Sequence, residues 1–188
     1  MAKGLTRNSS PIQVSGRIQE SSSNTFTSVE IDLTLNALDQ EVFVVTQLNL
    51  DIEAPDIPYT TALVDGDNKA DAEVRATLST TARTTVGSIA NSNVIGQALR
   101  SNHLQLVVSG SPLQVMGGVI TDYDREDPLF APTTEEYIGI VATSNMHLNI
   151  MGTGNDSPKT CAVRVYGYRA KMDAAGYAAL VQSQVLSA

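Results

Sequence analysis

The chain has 188 residues, of which 17% are charged and 42% hydrophobic, and one cysteine, Cys161. That length suffices for one domain with a buried core, and a lone cysteine excludes a disulfide framework and any cysteine-based zinc site. Twenty acidic residues against twelve basic ones give a net charge of −8, the wrong sign for wrapping a nucleic-acid backbone. With no long apolar run and no apolar N-terminal segment, we expect neither a membrane-spanning segment nor a secretory signal.

The first predicted elements follow a mostly polar segment. Residues 1–10 end at a Ser–Pro pair, and we interpret them as an N-terminal arm that orders only against a partner. Alternating apolar residues from Ile12 to Ile18 predict the first strand, and the clearest alternation in the chain, at 29–35, predicts the second. The run at 42–52 starts apolar on both sides and then alternates, which predicts a strand buried on both faces at one end only.

The middle of the chain continues the two-residue period. Prolines end the third strand, and a turn at 65–68 precedes the next one. The apolar residues between 94 and 99 have helical spacing, so a short helix is an alternative to a strand there. The remaining strands are predicted at 74–80, 104–108, 115–123, 137–142, 146–151 and 161–170.

The C-terminal segment departs from this period. It is rich in alanine and begins at an N-cap residue, Asp173, so we predict a helical tail over 173–188. An isolated helix of about 15 residues is marginal in water, and we expect this one to dock on the sheet or on a neighbouring subunit. The predicted apolar stripe contains Tyr177, Leu180, Val181, Gln184 and Val185.

The pattern as a whole predicts an all-β fold. Turn signals recurring roughly every 8–15 residues, with little helix between about eight to ten strands, favour an antiparallel sandwich or barrel over a βαβ fold. Long segments at 53–70 and 122–136 suit the crossovers of a Greek key. The predicted organisation is an arm at 1–10, an antiparallel β domain at 11–172 and the helical tail at 173–188.

Catalytic patterns are weak. His103 and His147 lie far apart without a third ligand at zinc-binding spacing, so structural roles are expected for both. No G-x-S-x-G elbow is present, and the glycines at 152 and 154 are not followed by the helix that a phosphate loop requires. The sequence therefore predicts no catalytic, cofactor-binding or metal-binding residue, no cofactor and no enzyme. A hydrolase acting through two carboxylates is the remaining catalytic alternative.

Two acidic segments were candidates for calcium binding. An EF-hand loop counted from Asp65 fails, because its fifth position is Lys69 and its twelfth is Ala76 instead of oxygen ligands. The segment at 122–128 gathers four carboxylates, so a calcium clamp between subunits is conceivable. A solvated turn, partly neutralised by Arg125, is the simpler interpretation.

The densest basic group lies in the last predicted strand. It combines Arg164, Arg169 and Lys171 with Tyr166 and Tyr168. Contact with nucleic acid is one interpretation, but charged side chains also protect the edge of a sheet, and we favour that explanation.

The strand series from Ile12 to Ala170, the polar arm before it and the closing strand and helix at 162–182 resemble single jelly-roll capsid proteins of small icosahedral viruses. The resemblance implies that residues 11–172 form a jelly-roll β-sandwich of about eight strands, and it implies self-assembly into a closed shell and no catalytic site. The implied partners are copies of the chain in a homo-oligomer and other virion proteins, and the implied location is the virion, after synthesis in the host cytoplasm. Because the arm carries only Lys3 and Arg7, there is no strong nucleic-acid-binding signal.

A second function class also fits the sequence. A β-sandwich spike, head-decoration protein or receptor- or glycan-binding module would show the same strand pattern. The absence of tryptophan and an aromatic content of 5% argue against sugar binding, although not against a trimeric spike.

Overall fold

A computed structural model describes residues 4–56, 69–109, 114–125, 129–131 and 137–186. Within them the chain forms eleven strands, one α-helix and a 3-10 turn at Ala37–Asp39. None of the helical residues described forms a segment that is long and apolar enough to cross a membrane. The elements are β1 (Leu5–Arg7), β2 (Ile12–Gln19), β3 (Thr27–Asp32), β4 (Glu41–Ile52), β5 (Lys69–Ser79), β6 (Val94–Ser109), β7 (Gln114–Arg125), β8 (Leu129–Phe130), β9 (Gly139–Val141), β10 (Asn145–Thr153), β11 (Thr160–Met172) and α1 (Ala174–Leu186).

The strands form two antiparallel sheets. In sheet A, β11 pairs with β4 on one side and with β1 and β2 on the other, and β4 also pairs with β8 and β9. Sheet B has the order β3-β10-β5-β6-β7. When the short β1 and β8 and the added β7 are set aside, the first strand pairs with the last, the second with the seventh, the third with the sixth and the fourth with the fifth. This nested pairing is the jelly roll predicted from the sequence.

The main core lies between the two sheets. Alternate residues of β10, namely Met146, Leu148 and Ile150, are fully buried, and they face Phe43 and other apolar side chains of sheet A. Burying each such side chain contributes about 1.5–3 kcal/mol relative to exposure. The two-residue period that predicted the strands therefore also identifies most of this core.

A second, smaller core lies on the outer face of sheet A. Val42 and Val44 point into it, together with Ala142 and Ala170, whereas Phe43 belongs to the main core. Helix α1 covers these side chains. The first half of β4 is thus buried on both faces, as its sequence predicted, because a sheet lies on one side of it and a helix on the other.

Helix α1 docks through part of the predicted stripe. Asp173 caps its N-terminus, with Oδ1 accepting a hydrogen bond from the Gly176 nitrogen at 2.7 Å. Tyr177, Leu180 and Val181 pack on the second core. The stripe prediction is wrong for its last apolar member, Val185, which is 60% exposed, since the sheet ends before the helix does.

Gln184 closes the edge of sheet A. Its buried side chain donates from Nε2 to the carbonyl oxygen of Ile140 at 2.7 Å, and its Oε1 accepts from the backbone nitrogen of Ala142 at 3.1 Å. These are backbone groups at the β9 edge, which an additional strand would otherwise use. The amide thus takes the place of a neighbouring strand.

We expect the double variant L180D/V181D to detach α1 and to lower the free energy of unfolding by about 2–3 kcal/mol, because it places two carboxylates against an apolar surface. Hydrogen exchange along α1 and a urea titration measure the effect. The matched control is A178D/A179D, which adds the same charge at exposed positions of the same helix. Equal losses in both variants would contradict docking through this face.

Part of the N-terminal segment is ordered by contacts within its own chain. Leu5–Arg7 forms β1 and pairs with Ala170–Met172 of β11, and the Leu5 side chain joins the second core. The prediction that the arm orders only against another subunit is therefore wrong for these residues. Its own chain offers both an open strand edge and an apolar surface at this position.

The alternative of a short helix near residue 94 is also wrong. Ser79 pairs with Val94 but Leu78 pairs with Gly96, so Ile95 is the extra residue of a β-bulge. The bulge shifts the alternation by one residue. Where the alternation of apolar residues shifts by one position, the apolar residues on the two sides of the shift have, over a few residues, the spacing of one face of a helix.

The strand predicted at 29–35 ends early, at Asp32. The Asp32 side chain accepts a hydrogen bond from the Thr34 nitrogen at 2.7 Å, and Thr34 adopts a left-handed backbone with φ of 49°. This turn ends the strand, although Leu33 and Leu35 still contact the main core.

Candidate assembly surfaces

The two histidines lie on the outer face of sheet B. His103, on β6, is beside the first residues of β5, and His147, on β10, is beside its last residue. The His103 imidazole contacts the Asp71 carboxylate directly across β5 and β6, whereas His147 is opposite Ser79. Asp71 and Ser79 are eight positions apart on β5, which corresponds to about 27 Å. The two imidazoles therefore do not share a site.

Protonation of His147 is expected to destabilise the fold. Burial lowers the pKa of His147, and the Glu30 carboxylate offsets only part of that shift. The unfolded chain, with a pKa near 6.5, then binds a proton more readily than the folded protein, so this stability is present above that pH and decreases as the pH falls through it. Between about pH 7 and pH 5.5, the urea midpoint should fall less for His147→Gln than for wild type. Identical pH dependence of the two proteins would contradict this assignment.

The acidic segment predicted as a turn at 122–128 is a strand as far as Arg125, and 126–128 lie outside the described residues. Asp124 is neutralised by Arg100 of β6, with Oδ2 at 2.9 Å from Nη2, rather than by Arg125. Arg100 also donates to the carbonyl oxygen of Ile52 at 2.8 Å, which links sheet B to the end of β4. In the part of the chain that the structure describes, no three potential ligands cluster as a metal site would require. The predicted turn at 65–68 is likewise outside that part.

The glycines near the end of β10 have a steric role. Gly152 belongs to the strand itself, and Gly154 follows it with φ of +70°. A Cβ at Gly154 would lie 2.2 Å from the Asp71 carbonyl oxygen. Glycine is therefore required at 154, where the backbone after β10 approaches the backbone of β5 closely.

The buried side chain of Glu20 joins the β2–β3 loop to the end of β10 and to the loop before β11. Glu20, 4% exposed, accepts hydrogen bonds from the backbone nitrogens of Thr25 at 3.1 Å and Gly152 at 2.6 Å through Oε1. Its Oε2 accepts from the Lys159 nitrogen at 2.9 Å. Hydrogen bonds to an ionised acceptor are stronger than neutral ones. The arrangement gives Glu20 a structural role.

Asn155 extends this network. Its Nδ2 donates to the Glu73 carbonyl oxygen at 2.8 Å, and its Oδ1 accepts from the Asp56 nitrogen at 2.9 Å. Its backbone nitrogen donates to Asn24 Oδ1 at 2.9 Å. We call the group formed by Glu20, Asp56, Asn155 and Lys159 the polar clamp.

The most deeply buried charge of the polar clamp is an ammonium group. The Lys159 side chain is only 2% exposed, and its Nζ lies 2.5 Å from Asp56 Oδ1 and 3.1 Å from Ser157 Oγ. Burial raises the pKa of Asp56, but hydrogen bonds from Lys159 and Ser157 and the charge of the lysine together lower it below 3.8. Asp56 is therefore ionised at neutral pH, as the buried ammonium requires.

The basic and aromatic side chains of β11 do not protect a sheet edge. β11 has strands on both sides, so that interpretation is wrong, since the sequence did not show that the first and last strands are neighbours. Arg169 donates to the Leu33 carbonyl oxygen at 3.0 Å and to Thr34 Oγ1 at 2.7 Å. The Arg7 guanidinium lies 4.6 Å from the centre of the Tyr168 ring. These side chains hold the ends of neighbouring segments together.

A groove runs along the outer face of sheet B, beside the loop at 80–93. It encloses about 550 Å³, and the Arg75 guanidinium on its floor contacts the Glu73 carboxylate. On the same face, Asn149 is fully buried, and its Oδ1 has no hydrogen-bond partner among the described residues. Sequence reasoning missed this groove, since the loop that covers this face carries no motif. Its lining consists of Asp71, Glu73, Arg75, Thr85, Val86, Met151 and Thr153.

Exposed apolar side chains follow one side of the molecule. Val119 and Tyr123 of β7 are 62% and 53% exposed. At the end of β7, Arg125 lines a small pocket with Ile89 and Leu129, which are both exposed. We call Ile89, Val119, Tyr123 and Leu129 the edge strip. The sequence predicted the strand of β7 but not that its apolar side chains would face solvent.

No family model matches the chain, and no curated protein matches it. Among solved structures, the unassembled KI polyomavirus VP1 pentamer matches with a TM-score of 0.36 and 10% identity, covering 79% of this chain and 74% of that one. Merkel cell polyomavirus VP1 in complex with GD1a oligosaccharide matches with a TM-score of 0.38 and 6% identity, covering 88% and 96%. Both are polyomavirus VP1 proteins. The jelly roll of this chain is established by its own strand order.

Proposed function

We propose that this chain is a structural subunit of a virion, a capsid protein that assembles with copies of itself into an icosahedral shell. The observation that carries the proposal is the edge strip on an otherwise well-packed jelly roll. Val119 and Tyr123 share one face of β7, and exposed apolar side chains that lie together on a domain mark a protein contact. A shell subunit needs such contacts together with a stable body.

The ionisable groups of the described residues support a role without catalysis. Glu20 and Asp56 belong to the polar clamp, and Asp124 is paired with Arg100. Each of these carboxylates fixes a loop or a strand, and the two that line the groove on sheet B, Asp71 and Glu73, contact His103 and Arg75. We therefore propose that the chain catalyses no reaction and needs no cofactor.

The proposed location is the virion, after synthesis in the host cytoplasm, and the proposed partners are copies of this chain and other virion proteins. A net charge of −8 and only two basic residues in the first ten argue against direct packaging of nucleic acid by this chain. A separate virion protein would then hold the genome.

Sedimentation velocity and negative-stain electron microscopy of the concentrated full chain test the proposal. We expect closed particles or large discrete assemblies that dissociate on dilution. A protein that remains monomeric at high concentration, across salt concentrations and with and without Ca²⁺, would overturn it.

The groove on sheet B favours a second candidate function, that of a ligand-binding module such as a spike or head-decoration protein. At about 550 Å³ it is large enough for a small ligand. A glycan array tests this candidate with wild type, with Arg75→Ala in the groove and with Arg17→Ala on sheet A as the control. Saturable binding lost only in Arg75→Ala would support the module, and no binding by wild type would remove glycan recognition.

A further inference from the structure

We propose that β7 pairs with β7 of a second copy of the chain, antiparallel and about a two-fold axis at Thr121, so that sheet B continues from one subunit into the next. This inference rests on the proposed structural role and names one contact through which subunits would associate. It follows from three observations: the open edge, the side chains on it and the distribution of its charges.

The edge at β7 differs from the other sheet edges described. β7 is twelve residues long and, among the described strands, pairs only with β6. By contrast, the other edge strands are shorter, since β1 has three residues, β2 eight, β3 six and β8 two, and the edge at β9 is closed by the Gln184 side chain. A long open edge presents a row of backbone donors and acceptors to another strand.

The sequence of β7 lacks the usual protection against such pairing. Between residues 114 and 125 there is no proline and no lysine, the residues that most often block a strand edge. One bulge is present, but it lies near the turn, opposite Val107 and Val108. The stretch from 117 to 125 is regular, and it carries the exposed Val119 and Tyr123.

The charges of β7 disfavour two registers of a symmetric pair and are compatible with an axis at Thr121. An axis at Asp122 would place two copies of that carboxylate opposite each other, and an axis at Tyr123 would oppose Asp122 and Asp124. Like charges directly opposite destabilise a pair of strands. An axis at Thr121 instead places Asp122 opposite Ile120 and Asp124 opposite Gly118, so no like charges meet.

The same register is favourable for the uncharged side chains. It places Val119 of each copy opposite Tyr123 of the other, and the two Thr121 residues opposite each other. Pairs of an aromatic with a β-branched residue, and of two threonines, stabilise antiparallel strands. Two equivalent Val–Tyr contacts would cover the half of the edge strip that lies on β7.

Cross-linking of Thr121→Cys tests the axis. Residues directly opposite in antiparallel strands have Cα atoms about 4.5–5.5 Å apart, within the range of a disulfide. Under mild oxidation we expect a disulfide-linked dimer as the major species. Wild type is the background control, because its Cys161 is buried, and Asp122→Cys is the register control, because its partner would be Ile120. Equal cross-linking of the 121 and 122 variants, or none of Thr121→Cys, would overturn the proposed register.

A charge at the contact tests the surface independently. Val119→Lys is expected to weaken association about tenfold or more in sedimentation equilibrium. Val185→Lys is the matched control, since that valine is 60% exposed, against 62% for Val119, but lies on α1. Equal association of the two variants would overturn the proposed contact.

These experiments distinguish a failure of the capsid proposal from a failure of the proposed β7 contact. Closed particles formed by wild type without the 121–121 cross-link would reject the β7 contact and leave the capsid role. A cross-linked dimer that never assembles further would support the β7 contact and reject the shell.

Discussion

Asp56→Ala is expected to lower the free energy of unfolding by about 3–5 kcal/mol, because it leaves a buried ammonium without its counter-charge. The Lys159 side chain is 2% exposed, so its ammonium group depends mainly on protein partners for its hydrogen bonds. Ser157 Oγ, at 3.1 Å from Nζ, would be its remaining partner. A urea titration at neutral pH measures the loss.

Two further variants separate burial from charge. D56A/K159M replaces the lysine by an apolar side chain of similar length and should recover most of the stability lost in Asp56→Ala. Asp39→Ala breaks an exposed ion pair with Lys171 and should cost no more than about 1 kcal/mol. If Asp56→Ala were as mild as Asp39→Ala, the buried pair would not have the role assigned to it.

The same pair predicts a dependence on pH. The pKa of Asp56 is lower in the folded protein than the ordinary value of 3.8, so its contribution is complete above that pH. It is lost as the pH falls further, through the lower pKa of the folded state. Wild type should therefore lose stability in acid more steeply than D56A/K159M.

Gly167→Ala is expected to destabilise the protein by about 3 kcal/mol or more, because no space exists for a methyl group. A Cβ at this position would lie 2.2 Å from the Val44 carbonyl oxygen and 2.7 Å from Phe43 Cζ. The site is a β-bulge, where Thr46 is the extra residue of β4 between the partners of Tyr166 and Gly167. Thermal unfolding and soluble yield measure the effect.

Gly139→Ala is the matched control for that substitution. Gly139 lies in β9, on the other side of β4, and a Cβ there would meet Ile95 Cγ2 at 3.5 Å, an ordinary contact. We expect its stability to be within about 1 kcal/mol of wild type. Similar losses in the two variants would contradict a steric clash at the bulge as the cause of the effect.

The alternation of apolar residues predicts most of the fold because one face of each strand is buried. It also predicts that β4 is buried on both faces at Val42–Val45, since no polar residue interrupts that run. It fails where backbone geometry intervenes, at the Ile95 bulge and at Thr34, since neither feature changes the hydropathy of the sequence. The sequence also does not show which strands are neighbours in a sheet, and this is why the charged residues of β11 were wrongly expected to protect a sheet edge.

The surfaces were less predictable than the core. In the sequence, Val119 and Tyr123 fit the alternation expected of any strand. Only the sheet order shows that β7 lies at an edge. The polar clamp was missed for a related reason. Glu20, Asp56 and Lys159 are distant in sequence and have no motif, and they meet because a jelly roll brings the loops of nested strand pairs to one end.

The two ends of the sandwich are held by different forces, and they should open under different conditions. Acid weakens the end built on Asp56 and Lys159, where a proton competes directly with the ammonium. Near the start of β4, α1 rests on the outer face of sheet A mainly through apolar contacts, which weaken on cooling instead. One chain would therefore lose structure in acid at one place and on cooling at another, about a strand length apart.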